Sequence, residues 1–405
     1  MPETSDTKSR DTLPKRPDAG LLPAPHRRSI VFFCLATFLF WIALYIYVPI
    51  LPVYARSLGA SLSMVGIVVA SYAVPQLLLR IPIGVLHDVL SRRKILVAGG
   101  IAITSAGALG LGLAPNPWLL TLARAVTGLG AATWVTFTVY FTGYYHQEGT
   151  GRAIGIINFV QRFALVIATS CGGVIAEAHG FTSVFFIAAI TGIVALLGLL
   201  FAREPAGLQV RTAASSSFMR VAAHPLLLTA SFMAVLLQFS SFAIIFGFIP
   251  VYASGIGASN VELGIITMVA VGSSAVASLI AVNLAERYGN TFTIILGAAF
   301  IGMATLAIPF IPHVYLLETV MVAYGLGSGV LGTILMALSI RSVAPQQRAT
   351  AMGVYQAIYA AGMLLGPLLS GFVGDSLGLA SVFYLSASLC LVIAGLAFLP
   401  VIPRR

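Results

Sequence analysis

Long apolar runs alternate with short polar breaks along almost the whole chain. Runs of about 20 apolar residues, enough to cross a hydrocarbon core of about 30 Å, begin near Ile30, Met64, Ile95, Leu119, Ile154 and Thr182. Six more begin near Pro225, Leu263, Thr291, Val314, Ala351 and Val382. The breaks carry turn or charge signals: Arg56-Ser-Leu-Gly-Ala-Ser61, Ser91-Arg-Arg-Lys94, Pro115-Asn-Pro117 and His146-Gln-Glu-Gly149. The longest internal break, residues 202–224, holds Arg203, Arg211 and Arg220 around a serine-rich middle. The pattern predicts an all-α integral membrane protein of twelve transmembrane helices in two six-helix bundles. It divides the chain into a disordered tail (1–29), a first bundle (30–202), a linker (203–224), a second bundle (225–400) and a short tail (401–405).

Composition narrows the class. Of 405 residues, 59% are hydrophobic and 8% charged, and the mean hydropathy is +1.00. Soluble domains carry about 25% charged residues, so a water-soluble enzyme, a secreted domain and a disordered chain are excluded. Cys34, Cys171 and Cys390 all fall in apolar runs and cannot build a disulfide framework. A net charge of +10 is compatible with a nucleic-acid partner, but its placement argues otherwise. With a cytoplasmic N-terminus, eighteen of the 22 basic residues fall in inner segments, Arg56 alone in an outer loop, and Arg80, Arg124 and Arg162 within spans. That is a positive-inside bias. It predicts a multi-pass plasma-membrane protein with both termini cytoplasmic and no nucleic-acid partner.

The two bundles repeat one another. Pro52-Val-Tyr-Ala-Arg-Ser-Leu-Gly-Ala-Ser61 recurs as Pro250-Val-Tyr-Ala-Ser-Gly-Ile-Gly-Ala-Ser259, an offset of 198. The same offset carries Asp88 onto Glu286, Gly155 onto Gly353, Gly173 onto Gly371, Glu177 onto Asp375 and Gly180 onto Gly378. Six is even, so the halves insert in the same orientation. Parallel halves of this kind place a substrate site between them near the bilayer midplane, reached from alternate sides as they rock.

Gly84-Val-Leu-His-Asp88-Val-Leu-Ser-Arg92-Arg93, after the second run, resembles the G-x-x-x-D-R-x-G-R-R loop of the major facilitator superfamily, with Val89 and Ser91 departing from it. A degenerate copy, Glu286-Arg287-Tyr-Gly289, follows the eighth run, and Arg124-Ala-Val-Thr-Gly128 resembles the family's R-x-x-x-G motif. Within the family the chain resembles the twelve-helix drug:proton antiporter branch. The antiporter signature G-P-x-x-G-G reads Ala168-Thr-Ser-Cys-Gly-Gly173 in the fifth run, without its proline. A closer version, Gly366-Pro367-Leu-Leu-Ser-Gly371, stands in the eleventh. The first run lacks the carboxylate that many such antiporters carry there. The resemblance implies that Asp88 meets the N-terminus of the eleventh helix near residues 350–352, where a helix dipole favours an anion. Arg92 and Arg93 would add ion pairs across that seam, with Glu148 a candidate partner.

The intramembrane arginines are the most informative residues. Arg80 lies about 12 Å from Asp88 along a helix, Arg162 at a similar depth, and Arg124 about 8 Å from the outer edge. An arginine at such depth costs about 2.5–3.5 kcal/mol even on mild scales, so each should face a cavity or a partner. Gln76 accompanies Arg80, and Asn158 and Gln161 accompany Arg162, at helical spacing. Two readings stand. In one, the arginines bind an anionic or zwitterionic substrate. In the other, Arg124 is the arginine that the family resemblance implies for the fourth helix, and Arg80 and Arg162 are held by helix carbonyls and glutamines as structure. Trp41, Tyr45, Gln238, Tyr355, Gln356 and Tyr359 fall at spacings that line a cavity or a helix seam. Glu318, about 6 Å into the tenth span, is the candidate proton carrier or a partner for Arg124. The histidines belong at span ends and no metal cluster stands out.

These residues predict a monomeric secondary transporter in the lipid bilayer that exports amphipathic small molecules, with the proton as coupling ion and no cofactor. The alternative is a carrier of an anionic metabolite or lysolipid-like anion. A membrane enzyme would need a nucleophile–base set, and no H-E-x-x-H is present. The glycine runs at 107–112 and 325–329 lie inside spans, where small residues serve close helix packing rather than phosphate binding.

Overall fold

The computed structural model describes residues 25–89, 93–145, 150–204, 221–341, 343–344 and 347–403. Among these residues, twelve helices are long and apolar enough to cross a membrane. The first bundle holds α1 (Arg27–Tyr45), α2 (Leu62–Arg80), α3 (Lys94–Leu113), α4 (Pro117–Thr142), α5 (Arg152–His179) and α6 (Phe181–Leu200). The second holds α7 (Pro225–Gly255), α8 (Asn260–Tyr288), α9 (Asn290–Phe310), α10 (Val314–Arg341), α11 (Thr350–Leu377) and α12 (Leu379–Leu396). Each predicted run begins within the first four residues of one of them. Twelve passes return the chain to the side where α1 begins, here called the basic face; the opposite side is the far face.

The repeat is visible in the packing. In the first bundle α3 lies against α4 and α6, α1 against α5 and α6, and α2 against α4. In the second, α9 lies against α10 and α12, α7 against α11 and α12, and α8 against α10. Between the bundles the main contacts are α2 with α11 and α5 with α8. Lipid tails are as apolar as leucine, so close packing rather than expulsion from water holds such helices together. Backbones accordingly meet at glycine: Gly128 against the Tyr72 carbonyl, Gly172 against that of Ile46, and Gly366 against the backbone of Phe239.

Two features shape the seam. After Tyr45 the chain passes through turns into a short helix, Leu51–Ser57, while α7 widens into a π-helical stretch at Ile244–Phe248 before Ile249–Gly255. Pro52 and Pro250 stand near the start of these short segments. Lacking an N–H, each withdraws one bond from the helical ladder, so both first helices of the bundles are broken at matching places. The second feature is length. α5 and α11 have 28 residues each, about 42 Å at 1.5 Å per residue, which exceeds the hydrocarbon core. Both end at a glycine in the left-handed region, Gly180 (φ 81°) and Gly378 (φ 86°), which turns the chain directly into the next helix.

Candidate functional site: the seam between the bundles

At the far face the bundles are closed. Gly173 of α5 packs on the backbone of Asn260 and Gly264 of α8, and Gly371 of α11 packs on Leu62, Ser63 and Gly66 of α2. The Pro367 carbonyl lies against Gly66. Nearer the basic face the same helices are apart: Gly155 of α5 and Gly353 of α11 have nothing within 4 Å of where a Cβ would stand. Asn158 is exposed there. Among the described residues the seam is shut at one end and open at the other.

The middle of the seam is aromatic. Tyr45 of α1 meets Phe246 of α7 at 5.9 Å between ring centroids, and Tyr72 of α2 stacks on Phe242 of α7 at 6.5 Å. Trp41 touches Tyr45 at 5.5 Å and Trp134 at 5.0 Å, while Tyr355 and Tyr359 form an edge contact at 5.4 Å on α11. Arg162 stands among these rings. As a residue Arg162 is exposed, and its charge interacts with Tyr359 of α11 and Tyr45 of α1. Its neighbours thus come from both bundles. Gln161 on α5, Gln238 on α7 and Gln356 on α11 are half-buried.

The other two arginines have different surroundings. Arg124 is buried, donates to the Tyr47 hydroxyl at 2.9 Å and to Thr127 at 3.3 Å, and lies 4.2 Å from the Tyr72 ring centroid. A cation desolvated against an aromatic face gains about 2 kcal/mol or more. That cage and the two hydroxyls, both on Nη1, hold Arg124, while its Nε is buried without a hydrogen-bond partner among the described residues. Glu318 is not among its partners; the charge that acts on Glu318 among the described residues is that of Glu262. Arg80 donates through Nη2 to Gln76 at 2.8 Å, and Gln76 donates in turn to the Tyr72 carbonyl at 3.2 Å. Its Nε and Nη1 are buried without a partner among the described residues.

At the basic face the loop motif is only partly described. Asp88 lies on a helix but its side chain, like all of Arg92 and Glu148, lies outside the described residues, as does any contact they make. Arg93 is buried and its backbone N–H donates to Glu204 at 2.7 Å, while Lys94 Nζ donates to the carbonyls of Leu200 and Ala202. These bonds tie the start of α3 to the end of α6 inside one bundle. Glu286 and Arg287 are exposed, and Arg287 lies 5.3 Å from the ring of its neighbour Tyr288. Sequence reasoning missed Glu204. It also treated Glu177 and Asp375 only as markers of the repeat. Asp375 accepts from the backbone N–H groups of Leu62 (2.9 Å) and Ser63 (2.8 Å), and Glu177 from that of Asn260 (3.0 Å). The legible signal was an acid at the same place in both halves.

The family model described as Major Facilitator Superfamily matches residues 33–338 and 231–405. The chain belongs to the major facilitator superfamily. It is 22% identical over 365 residues to an uncharacterized MFS-type transporter of Methanocaldococcus jannaschii, covering 87% of this chain and 92% of that one. It is 23% identical over 365 residues to multidrug resistance protein 1 of Bacillus subtilis, covering 86% and 91%. Among solved structures, a bacterial homolog of the human lysosomal transporter Spinster, inward-facing and occupied, superposes with a TM-score of 0.81 at 18% identity, covering 93% and 97%. These matches establish a multi-pass membrane transporter of the superfamily, and its relatives include proteins named as multidrug pumps.

Proposed function

We propose that this transporter moves amphipathic small molecules by alternating access, and that Arg162 holds an anionic or zwitterionic group of the substrate. The observation that carries the reading is the setting of Arg162. It is an exposed cationic residue with two phenols from opposite bundles as its electrostatic neighbours and, among the described residues, no carboxylate beside it. Phenols do not neutralise a guanidinium, whereas a carboxylate, phosphate or sulfonate binds its forked donors in pairs. The rings of Trp41, Tyr45, Phe246, Tyr355 and Tyr359 supply the apolar wall that an amphipathic body needs. The positive-inside bias puts the basic face in the cytoplasm, so the open end of the seam is the cytoplasmic one and loading occurs from inside. The relatives named as multidrug pumps support export. Protons are the proposed coupling ion and Glu318 the proposed carrier.

The test is a thermal-shift screen of the purified protein against matched cationic, neutral and anionic amphiphiles. A ligand at 100 times its dissociation constant adds about 2.7 kcal/mol to stability. Shifts with anions that vanish in Arg162→Ala and persist in part in Arg162→Lys are expected. Shifts with lipophilic cations alone, unchanged in Arg162→Ala, overturn the anionic reading in favour of a cation-type drug pump. In proteoliposomes, Glu318→Gln should abolish the response of transport to an imposed pH gradient. A retained response removes Glu318 from coupling.

A further inference from the structure

The far face is closed by charge as well as by packing. A helix leaves its first backbone N–H groups without intrahelical partners. At the start of α2 all three leading groups are satisfied: Met64 by the Ser61 hydroxyl, but Leu62 and Ser63 by the two carboxylate oxygens of Asp375, which belongs to the other bundle. At the start of α8 the Ser259–Glu262 capping box satisfies two groups locally, and Glu177 of the other bundle accepts from Asn260. Both arrangements occupy matching positions: Glu177 maps onto Asp375 and Leu62 onto Asn260 by the offset of 198. Each carboxylate stands beside a glycine crossing, Gly371 on Gly66 and Gly173 on Gly264. Each also sits three residues before the glycine that ends its helix.

We infer that Asp375 and Glu177 are a pair of reciprocal latches, each bundle capping a gate helix of the other, that hold the far side shut and release together when the bundles rock. Every one of these bonds crosses the seam, so opening the far side breaks all three and returns three N–H groups and two carboxylates to water. A carboxylate facing a helix N-terminus is held both by charge-assisted bonds and by the helix dipole. Asp375, with two backbone donors and the Ser61 and Ser63 side chains beside it, is the stronger latch. The glycine crossings supply the close approach that lets a short aspartate reach the neighbouring backbone.

The inference rests on alternating access and not on the substrate reading. It is tested by a distance across the far face in proteoliposomes without ligand. Spin labels are placed at Ser57 and Ser254, exposed positions on the short helices of the two bundles, in a protein whose three cysteines are replaced. Wild type should give a dominant short distance. Asp375→Asn should raise the ratio of long to short distances about tenfold, which corresponds to about 1.4 kcal/mol, Glu177→Gln less, and the double substitution most.

A second route leaves the carboxylates untouched. Asn260 and Leu62 are the first residues of their helices, where proline is tolerated because its missing N–H has no helical partner. Asn260→Pro should reproduce Glu177→Gln, and combining the two should add nothing further. Leu62→Pro should reproduce part of Asp375→Asn. Unchanged distance distributions in folded carboxylate variants, or additive effects of Asn260→Pro and Glu177→Gln, would overturn the latch. An anion screen that fails while the distances respond leaves the latch standing and removes only the substrate reading.

Discussion

α5 and α11 each carry two glycines eighteen residues apart with opposite surroundings. Gly173 and Gly371, at the far ends, are pressed against backbone of the other bundle; Gly155 and Gly353, toward the basic face, border open space. The residue type and the helix are the same, so the contrast is one of conformation. A glycine pressed against backbone reports a contact that the structure has made. A glycine in the open costs helix stability in this state, about 0.5–1 kcal/mol relative to alanine, with no packing here to offset it. The two open glycines are therefore where the other conformation of the seam would close.

The largest expected effect comes from filling the closed end. Gly371→Leu should force α11 from α2, collapse the short far-face distance and reduce transport at least about tenfold, since overpacking a close crossing costs about 1–3 kcal/mol or more. If Gly371→Leu transports as wild type, the closed crossing is not part of the cycle. Next is Arg124→Lys. The lysine loses the planar stack on Tyr72 and the directed bond to Tyr47, so the melting temperature in detergent should fall whether or not ligand is present. A variant that melts as wild type but loses ligand shifts would instead place Arg124 in the substrate site. Smaller and opposite in sign, Gly353→Ala should raise the melting temperature slightly in this conformation while slowing turnover, whereas Gly371→Ala should lower it. Equal effects at both positions would erase the contrast. Smallest is Arg287→Ala, an exposed side chain resting on its neighbour, expected to leave melting unchanged.

The bundles also differ from one another despite their common plan. The interior of the first holds a desolvated cation, Arg124, in a cage of tyrosines. The second holds a neutral network in which Ser240 joins Tyr324 of α10 and Ser386 of α12. The helices cross alike in both bundles, while the three intramembrane arginines all lie in the first.

Apolar runs of span length separated by turn and charge signals determined the helix count and, through the constant offset, the division into two like bundles. Backbone groups in lipid have few options but helices, so run length alone is decisive there. The three arginines were equally legible as costly residues needing an answer. Their answers were not: Arg124 found aromatic rings and a hydroxyl, Arg80 a glutamine, and Arg162 tyrosines of both bundles, because partners come from other helices at unrelated sequence distances. Asp375 and Glu177 show the same limit. Each looks like an interfacial acid at a helix end. Only the crossing of α11 over α2 and of α5 over α8 brings them to unsatisfied N–H groups of the opposite bundle, since hydrogen bonds between duplicated halves depend on docking geometry that no local pattern encodes.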